Sequence, residues 1–372
     1  MKRNVTYVFG AGASANALPV VKLFNSRLNH FLQNLKFFKS TTNIIADFIP
    51  SVQKILKESS QHSTIDTVAK KYFHQNNIDS LKELKKVLTV FFVYEQSIKE
   101  LYSNFTKNLK DLYLDEKDAE LFEKTKKEKI DHRYDSFIAS LLKSEQGKFT
   151  FPNEVSVITW NYDCQFELAY QKFHDIDFHE AQHLLNVFPK NTGRLAPDDI
   201  QKLNGRCFKI LHLNGQAHTF YKKDGQIFSL FDKNRRIESN LETAIKYSHS
   251  SSITFTWEKH STSAIQDKEM EEIIKSVRNV LNETEILVII GYSFPFFNRE
   301  VDRELFLNND FEKIYIQDSN ATNIKELFSN VFEISGNKIF EYSNIEQFLL
   351  PAELDADYDP PPNLAQMAGY FP

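Results

Sequence analysis

Five short runs of apolar, β-branched and aromatic residues punctuate the sequence: NVTYVF (4–9), EVSVITW (154–160), CFKILHL (207–213), EILVIIG (285–291) and KIYIQD (313–318). Their apolar character is nearly continuous rather than alternating. Such strands are buried on both faces, as in a parallel sheet covered by helices. Helical patterns lie between them: CQFELAYQKFH follows the second run and QDKEMEEIIKSVRNVLNE precedes the fourth. NREVDRELFLN follows the fourth and ATNIKELFSN the fifth. Strands alternating with helices predict an α/β fold, a Rossmann-like, doubly wound, mostly parallel sheet.

The first crossover is far longer than a βαβ unit requires, since one helix suffices to return the chain. Residues 20–150 are helical in pattern instead. LKELKKVLTVFFVYEQSIKELYSNF spaces Leu81, Leu84, Val87, Leu88, Phe91 and Phe92 at helical intervals, and Ser63 and Thr64 offer N-caps for STIDTVAKKYF. The expectation is one unit over 1–350. Its sheet core spans 1–20 and 150–350, and a large helical insertion over 20–150 separates the first two strands and roofs the site. Within 216–262, HTFYKKDGQIFSLF carries a hairpin signal around Lys-Asp-Gly, and the remainder reads as loop or small-subdomain material. DEKDAELFEKTKKEKID (115–131) reads as a solvated helix face, and 351–372, with three consecutive prolines, as an irregular tail.

A chain of 372 residues with 41% apolar residues has enough to build such a core, and 33 Phe read as core material. A net charge of −5 gives no indication of direct nucleic-acid binding. Two cysteines, Cys164 and Cys207, without a Cys-x-x-Cys pair, support neither a disulfide framework nor a cysteine-based zinc site. The apolar run after MKRN is too short for a signal sequence, and no stretch approaches the roughly 20 residues of a membrane span. The expectation is a cytoplasmic protein without membrane association.

Chemistry concentrates at the carboxyl ends of the runs. After the first comes FGAGASA. Gly10 permits a tight turn, Gly12 lets the backbone approach a pyrophosphate, and Ala15 lets the next helix pack closely. The helix start adds backbone N–H groups for an anion. A dehydrogenase of this type would carry an acid about 20 residues further on, yet the first acid in the chain is Asp47. An NADP site using Arg27 is an alternative, without a complementary dehydrogenase signature.

After the second run, TWNYD places Thr159, Asn161 and Asp163 at the ligand-binding edge of an open α/β sheet. Asn161 could hold a water or a ribose hydroxyl and Asp163 could cap the next helix, although both types are also common in turns. In KILHLNG, strand alternation puts His212 and Asn214 on one face. His212 is a candidate base or ribose contact, or a satisfied core histidine. Gly291 and Ser293 follow the fourth run, and Asp318 or Asn320, after the fifth, could contact an adenosine ribose or base.

Taken in order, Gly-Ala-Gly-x-Ser, Thr-x-Asn-x-Asp, a His-containing strand ending in Gly, and a late Gly-x-Ser resemble the sirtuin family. The closer likeness is to its bacterial branch of NAD-consuming antiphage effectors, whose helical insertion TIDTVAKKY and DHRYDSFIASLL also resemble. The resemblance covers residues ~4–320 and not the tail. It implies that Gly10, Ala11, Gly12, Ala13 and Ser14 cradle the NAD+ pyrophosphate. Asn161 matches the essential Asn near the nicotinamide ribose, Asp163 its neighbouring Asp, and Ser293 a ribose- or phosphate-contacting Ser.

Two departures bear on activity. Deacylating sirtuins generally carry a four-cysteine zinc module, which this chain cannot build, so no zinc is expected. The family's His usually stands immediately before the Gly, where this chain has Asn214, with His212 about two strand rises, ~6.6 Å, earlier. The expected function is an NAD+ glycohydrolase that takes NAD+ as substrate, releases nicotinamide and ADP-ribose, and depletes NAD in antiphage defence. Without an evident sensor domain, it is expected to be activated by a protein partner, of sensor or ATPase type, or by homo-oligomeric assembly. The alternatives are a non-catalytic module sensing NAD or an ADP-ribose derivative and, less favoured, a protein deacylase.

Overall fold

The computed structural model describes residues 2–36, 43–97, 130–145, 148–190, 195–221, 227–229, 237–250, 253–255, 257–258 and 264–354. The chain enters the sheet at once with β1 (Val5–Phe9) and then forms α1 (Phe24–Leu35), α2 (Ile44–Ser59), α3 (Ile65–His74), α4 (Ile78–Ser97) and α5 (His132–Leu141). A short antiparallel hairpin, β2 (Lys143–Glu145) and β3 (Lys148–Thr150), leads to β4 (Val155–Thr159), α6 (Gln165–Phe173), α7 (Phe178–Leu184) and β5 (Val187–Phe188). Next come α8 (Pro197–Asn204), β6 (Lys209–His212), the hairpin β7 (Thr219–Tyr221) and β8 (Ile227–Ser229), and α9 (Ile237–Tyr247). The chain then runs through α10 (Ala264–Glu283), β9 (Ile286–Ile290), α11 (Arg299–Phe306), β10 (Lys313–Gln317), α12 (Ala321–Phe332) and β11 (Ile339–Tyr342).

Seven strands form one parallel sheet in the order β11-β10-β9-β1-β4-β6-β5. From β1 the chain builds one side by laying β4 beside it, β5 at the edge and β6 between them, then crosses to build β9, β10 and β11 outward on the other. The crevice between the ends of β1 and β9 is therefore the topological switch point, where open α/β sheets bind ligands. The five strands anticipated from apolar runs are all present. The two extra ones lacked such a signal: β5 has two residues, and β11, an edge strand, exposes Phe340, Glu341 and Tyr342.

Strand alternation sends side chains to two cores. Val8, Ile158, Leu211 and Ile289 join one core with Phe31 of α1 and Phe91 of α4, and Tyr7, Phe9, Val157 and Val288 join the other with Phe137 of α5 and Phe166 of α6. Helices thus cover both faces, as the doubly wound reading requires. Local caps explain several helix starts: Thr64 Oγ1 accepts the Thr67 N–H at 3.1 Å, and Asp177 Oδ1 accepts that of Glu180 at 2.7 Å.

The hairpin expected around Lys-Asp-Gly is formed by β7 and β8, its turn lying outside the described residues. The segment beyond it, expected as loop or small-subdomain material, contains a helix. Its helix α9 packs on α2 and α4, so the helical layer is completed from a distant part of the sequence. Residues 355–372 of the expected tail, and 115–129 of the charged run, lie outside the described residues. Among the described residues no helix is long and apolar enough to cross a membrane.

Candidate functional site at the strand carboxyl ends

The glycine loop leaves β1 through Gly10 in extended backbone and makes a single 3₁₀ turn over Ala11–Ser14. The Gly10 N–H donates to the Ile290 carbonyl and the Gly12 N–H to the Gly291 carbonyl, both at 3.0 Å, so the loop continues the ladder of β9. This contact explains the glycines. A Cβ on Gly10 would lie 2.5 Å from the Gly291 oxygen, and one on Gly12 2.8 Å from the Gly291 Cα. Gly291 itself has φ +61°, and a Cβ there would stand 2.4 Å from the Ala13 nitrogen. The two loops at the switch point pack backbone against backbone. Ala11 is exposed, Gly12 half-buried and Ala13 buried.

Behind the loop lies a group that no strand motif signalled. Arg133 Nη2 donates to the Gly12 and Ala13 carbonyls at 3.2 and 2.8 Å, and to Asp131 Oδ2 at 2.6 Å. Asp131 accepts from the Asn16 backbone and side chain, while its own N–H donates to Gln165 Oε1 at 2.8 Å.

Ser14 joins the first motif to the second. Its hydroxyl donates to Asp163 Oδ2 at 2.7 Å, accepts from Asn161 Nδ2 at 3.3 Å, and lies 2.9 Å from the Tyr134 hydroxyl. Asn161 Nδ2 also donates to the Gly10 carbonyl at 3.0 Å, and its backbone N–H to Thr159 Oγ1 at 3.1 Å. Asp163 Oδ1 accepts the N–H of Gln165, the first residue of α6, at 3.2 Å. Burial pushes the Asp163 carboxyl up from 3.8 to about 6, with Glu167 and Asp131 adding to the rise and the Ser14 and Gln165 hydrogen bonds opposing it.

His212 Nδ1 lies 3.0 Å from the Asn161 carbonyl oxygen. A carbonyl only accepts, so Nδ1 carries the proton and Nε2 presents a lone pair. Nε2 is buried without a hydrogen-bond partner among the described residues. Burial holds the imidazole below its usual range despite the Glu167 charge, which favours the neutral ring at neutral pH. Asn214, just past the strand, donates from Nδ2 to the Trp160 carbonyl at 2.9 Å. Thus His212 supports the backbone of Asn161, and Asn214 that of its neighbour.

Below His212 lies a buried polar group. Gln182 Nε2 is 3.3 Å from Glu167 Oε1 and 3.1 Å from Gln216 Oε1, and His218 Nε2 is 3.7 Å from Glu167 Oε1. Burial would raise the Glu167 carboxyl, but its interaction with His218 leads the contacts that hold it low.

The structure brings ten candidates, Gly10, Ala11, Gly12, Ala13, Ser14, Thr159, Asn161, Asp163, His212 and Asn214, to the ends of three adjacent strands, with Gly291 against them. Ser293 lies exposed two residues past Gly291, and Asp318 follows β10, where its Oδ1 accepts the Asn320 N–H at 2.8 Å. Arg27, the residue of the NADP alternative, pairs with Glu95 in the interior instead. Sequence reasoning missed Asp131, Arg133, Tyr134 and Gln165. The available signal was Asp before an amphipathic stretch, which marks an N-cap and nothing more. The neighbouring stack of Trp160 on Tyr292, centroids 5.1 Å apart and planes 8° apart, was not anticipated either.

Chemically, the cluster offers an oriented amide, a buried carboxylate and a neutral imidazole beside a glycine turn. Among the described residues, no group of three or more His, Cys, Asp or Glu side chains could hold a metal ion. No protein-family model matches the chain, and no curated protein matches it.

Proposed function

We propose that the chain is an NAD+ glycohydrolase, with NAD+ bound across the switch point and its nicotinamide ribose beside Asn161. One observation carries this reading. Asn161 is tied to the Gly10 carbonyl and to Ser14, which in turn holds Asp163. A glycine turn suited to a pyrophosphate and an amide suited to a ribose are thereby fixed relative to each other.

The reaction asks little of a strong base. The C1′–N bond breaks, and its electron pair goes to the pyridinium nitrogen and neutralises it. Water bonds to C1′ of the oxocarbenium-like ribose and loses a proton. The protein must orient the ribose, place the water and oppose the developing positive charge. Asn161 suits the first two tasks and ionised Asp163 the third. His212 Nε2 suits proton acceptance once the ligand is bound. The same reading takes in the cytoplasmic NAD+ pool and the expected role in antiphage defence, with a protein activator or self-assembly as the trigger. These extensions rest on the family resemblance alone.

Incubation with NAD+, alone and with co-expressed neighbouring proteins, followed by chromatography of nicotinamide and ADP-ribose, tests the reading. Asn161→Ala should lower release by about 100-fold or more. Absence of release from the wild type in every condition would refute hydrolysis, and release that survives Asn161→Ala would refute the site. A second reading, a sensor that binds without turnover, is favoured by Asn214 in the expected histidine position. It predicts ADP-ribose binding with no nicotinamide release.

A further inference from the structure

One turn of chain outside the sheet, residues 131–134, grips both parts of the strand-end cluster. Its first contact is with Ser14, whose hydroxyl has one hydrogen and two lone pairs. An ionised Asp163 only accepts, so the hydrogen points to Oδ2 at 2.7 Å. The Asn161 amide nitrogen only donates, so it occupies one lone pair at 3.3 Å. The second lone pair is left for the Tyr134 phenol, 2.9 Å away, which must donate. All three directions are thereby fixed, and Ser14 has no capacity left for a ligand.

The second contact is with the loop backbone. Arg133 draws two successive carbonyls, Gly12 and Ala13, toward α5. In a trans peptide the N–H points opposite to the carbonyl. The N–H ends of these two peptides therefore turn away from α5; that of Ala13 donates to the Gly10 carbonyl at 2.9 Å, so the guanidinium holds the closed form of the turn.

We propose that Tyr134 and Arg133 are positioning residues of this site. Tyr134 locks Ser14 toward Asp163 and so holds the Asn161 amide, and Arg133 sets the glycine turn for the phosphates of a dinucleotide. The catalytic arm rests on the hydrolase reading, whereas the binding arm does not. The two residues should separate in function. Tyr134 acts on the groups beside the reacting ribose, and Arg133 on the part of the ligand that does not react.

A pH effect follows with a definite sign. Asp163 is faced by Ser14 of the loop, Asp131 and Tyr134 of the turn, with Arg133 paired to Asp131, and Glu167 of α6. Donation from Tyr134 polarises the Ser14 hydroxyl and strengthens its bond to the carboxylate. Without the phenol the carboxylate is less favoured, so the acid limb of activity moves to higher pH.

The test compares the full-length wild type with Tyr134→Phe and Arg133→Lys, each first checked by circular dichroism and melting. Steady-state NAD+ hydrolysis and calorimetric ADP-ribose binding are then measured. Tyr134→Phe should lower kcat about 10-fold with KM within about 2-fold, and raise the acid limb by about 0.5 pH unit. Arg133→Lys keeps the charge but loses the fork, so the ADP-ribose Kd should rise about 5-fold or more, with kcat within about 2-fold. A Tyr134→Phe enzyme with wild-type kcat and acid limb would overturn the Tyr134 role, as would equal losses in kcat and KM, which mean general loosening. Unchanged Kd in Arg133→Lys would overturn the Arg133 role. If the wild type binds ADP-ribose but hydrolyses NAD+ neither alone nor with any co-expressed neighbouring protein, the hydrolase reading and the Tyr134 role both fall, and Arg133→Lys still decides the binding arm. If it neither binds nor hydrolyses, both roles fall.

Discussion

Asp302 is an acid held where water does not reach. Its Oδ1 accepts from the Tyr292 hydroxyl at 2.9 Å, and Asn298 Nδ2 donates to the same hydroxyl at 3.1 Å. Burial pushes the carboxyl from 3.8 to about 8, against the pull of Tyr292 and Arg299. Between those values the folded chain keeps a proton that the unfolded chain has lost. The stabilisation is complete below the unfolded value and fades as pH rises through the folded one. Asp302→Asn keeps the acceptor for Tyr292 and never ionises. It should be more stable than the wild type at pH 8.5 by about 2 kcal/mol or more, with the gain shrinking toward pH 4.5. Urea titrations at several pH values measure this, and a variant less stable than the wild type at pH 8.5 would contradict it. At this scale the sequence was informative where a polar residue closes an apolar run. Asn161, Asp163 and His212 are singled out by that position, although each also makes a turn, helix-start or backbone contact that is structural in kind. Tyr134 is not, because its phenol meets Ser14 across 120 positions and its own surroundings read as an amphipathic helix.

Among the elements, the helices before β4 are joined by more than apolar packing. Arg27 of α1 and Glu95 of α4 form an ion pair with side chains 2% and 0% exposed. Two charges that deep are stabilising only as a pair, and losing either strands the other. Arg27→Met should cost about 3–5 kcal/mol in urea denaturation, and adding Glu95→Leu should restore a large part. If the double variant is as unstable as the single one, the two charges are not coupled. The same elements show why fold outran detail. Continuous apolar runs gave the five central strands because each must be covered on both faces. Residue patterns could not give β5, whose pairing comes from its neighbour β6 rather than from its own two residues. Nor could they assign α9 to the helical layer, since packing on α2 and α4 is a contact between distant parts of the chain.

For the molecule as a whole, the consequential seam runs between β1 and β9, where the sheet's two halves meet. Five pairs of residues tie the strands, and beyond them the Gly10–Ala13 turn and Gly291 pack without side chains between. A methyl group inserted here must move one half against the other, or move a loop that Arg133 holds from behind. The two glycines differ in what they tolerate. Gly291 needs φ +61°, which costs an L-residue about 1–2 kcal/mol before any contact is counted. Its Cβ would in addition stand 2.4 Å from the Ala13 nitrogen and 2.5 Å from the Gly12 carbonyl carbon, both backbone atoms unable to rotate aside. At Gly12 the nearest atom would be 2.8 Å away, and overpacking is the main cost. Gly291→Ala should therefore destabilise by about 4 kcal/mol and Gly12→Ala by about 1–2 kcal/mol. Because the seam belongs to the sheet rather than to a peripheral loop, the loss should appear in the main cooperative transition, with the urea midpoint lowered and the slope unchanged. If Gly291→Ala melts only the 291–298 segment, seen as local amide exchange with an unchanged global midpoint, the halves are not held at this point. If it lowers the midpoint as expected, the NAD+ reading proposed above further expects ADP-ribose binding to weaken with it, because the turn assigned there to the phosphates is the surface Gly291 packs against.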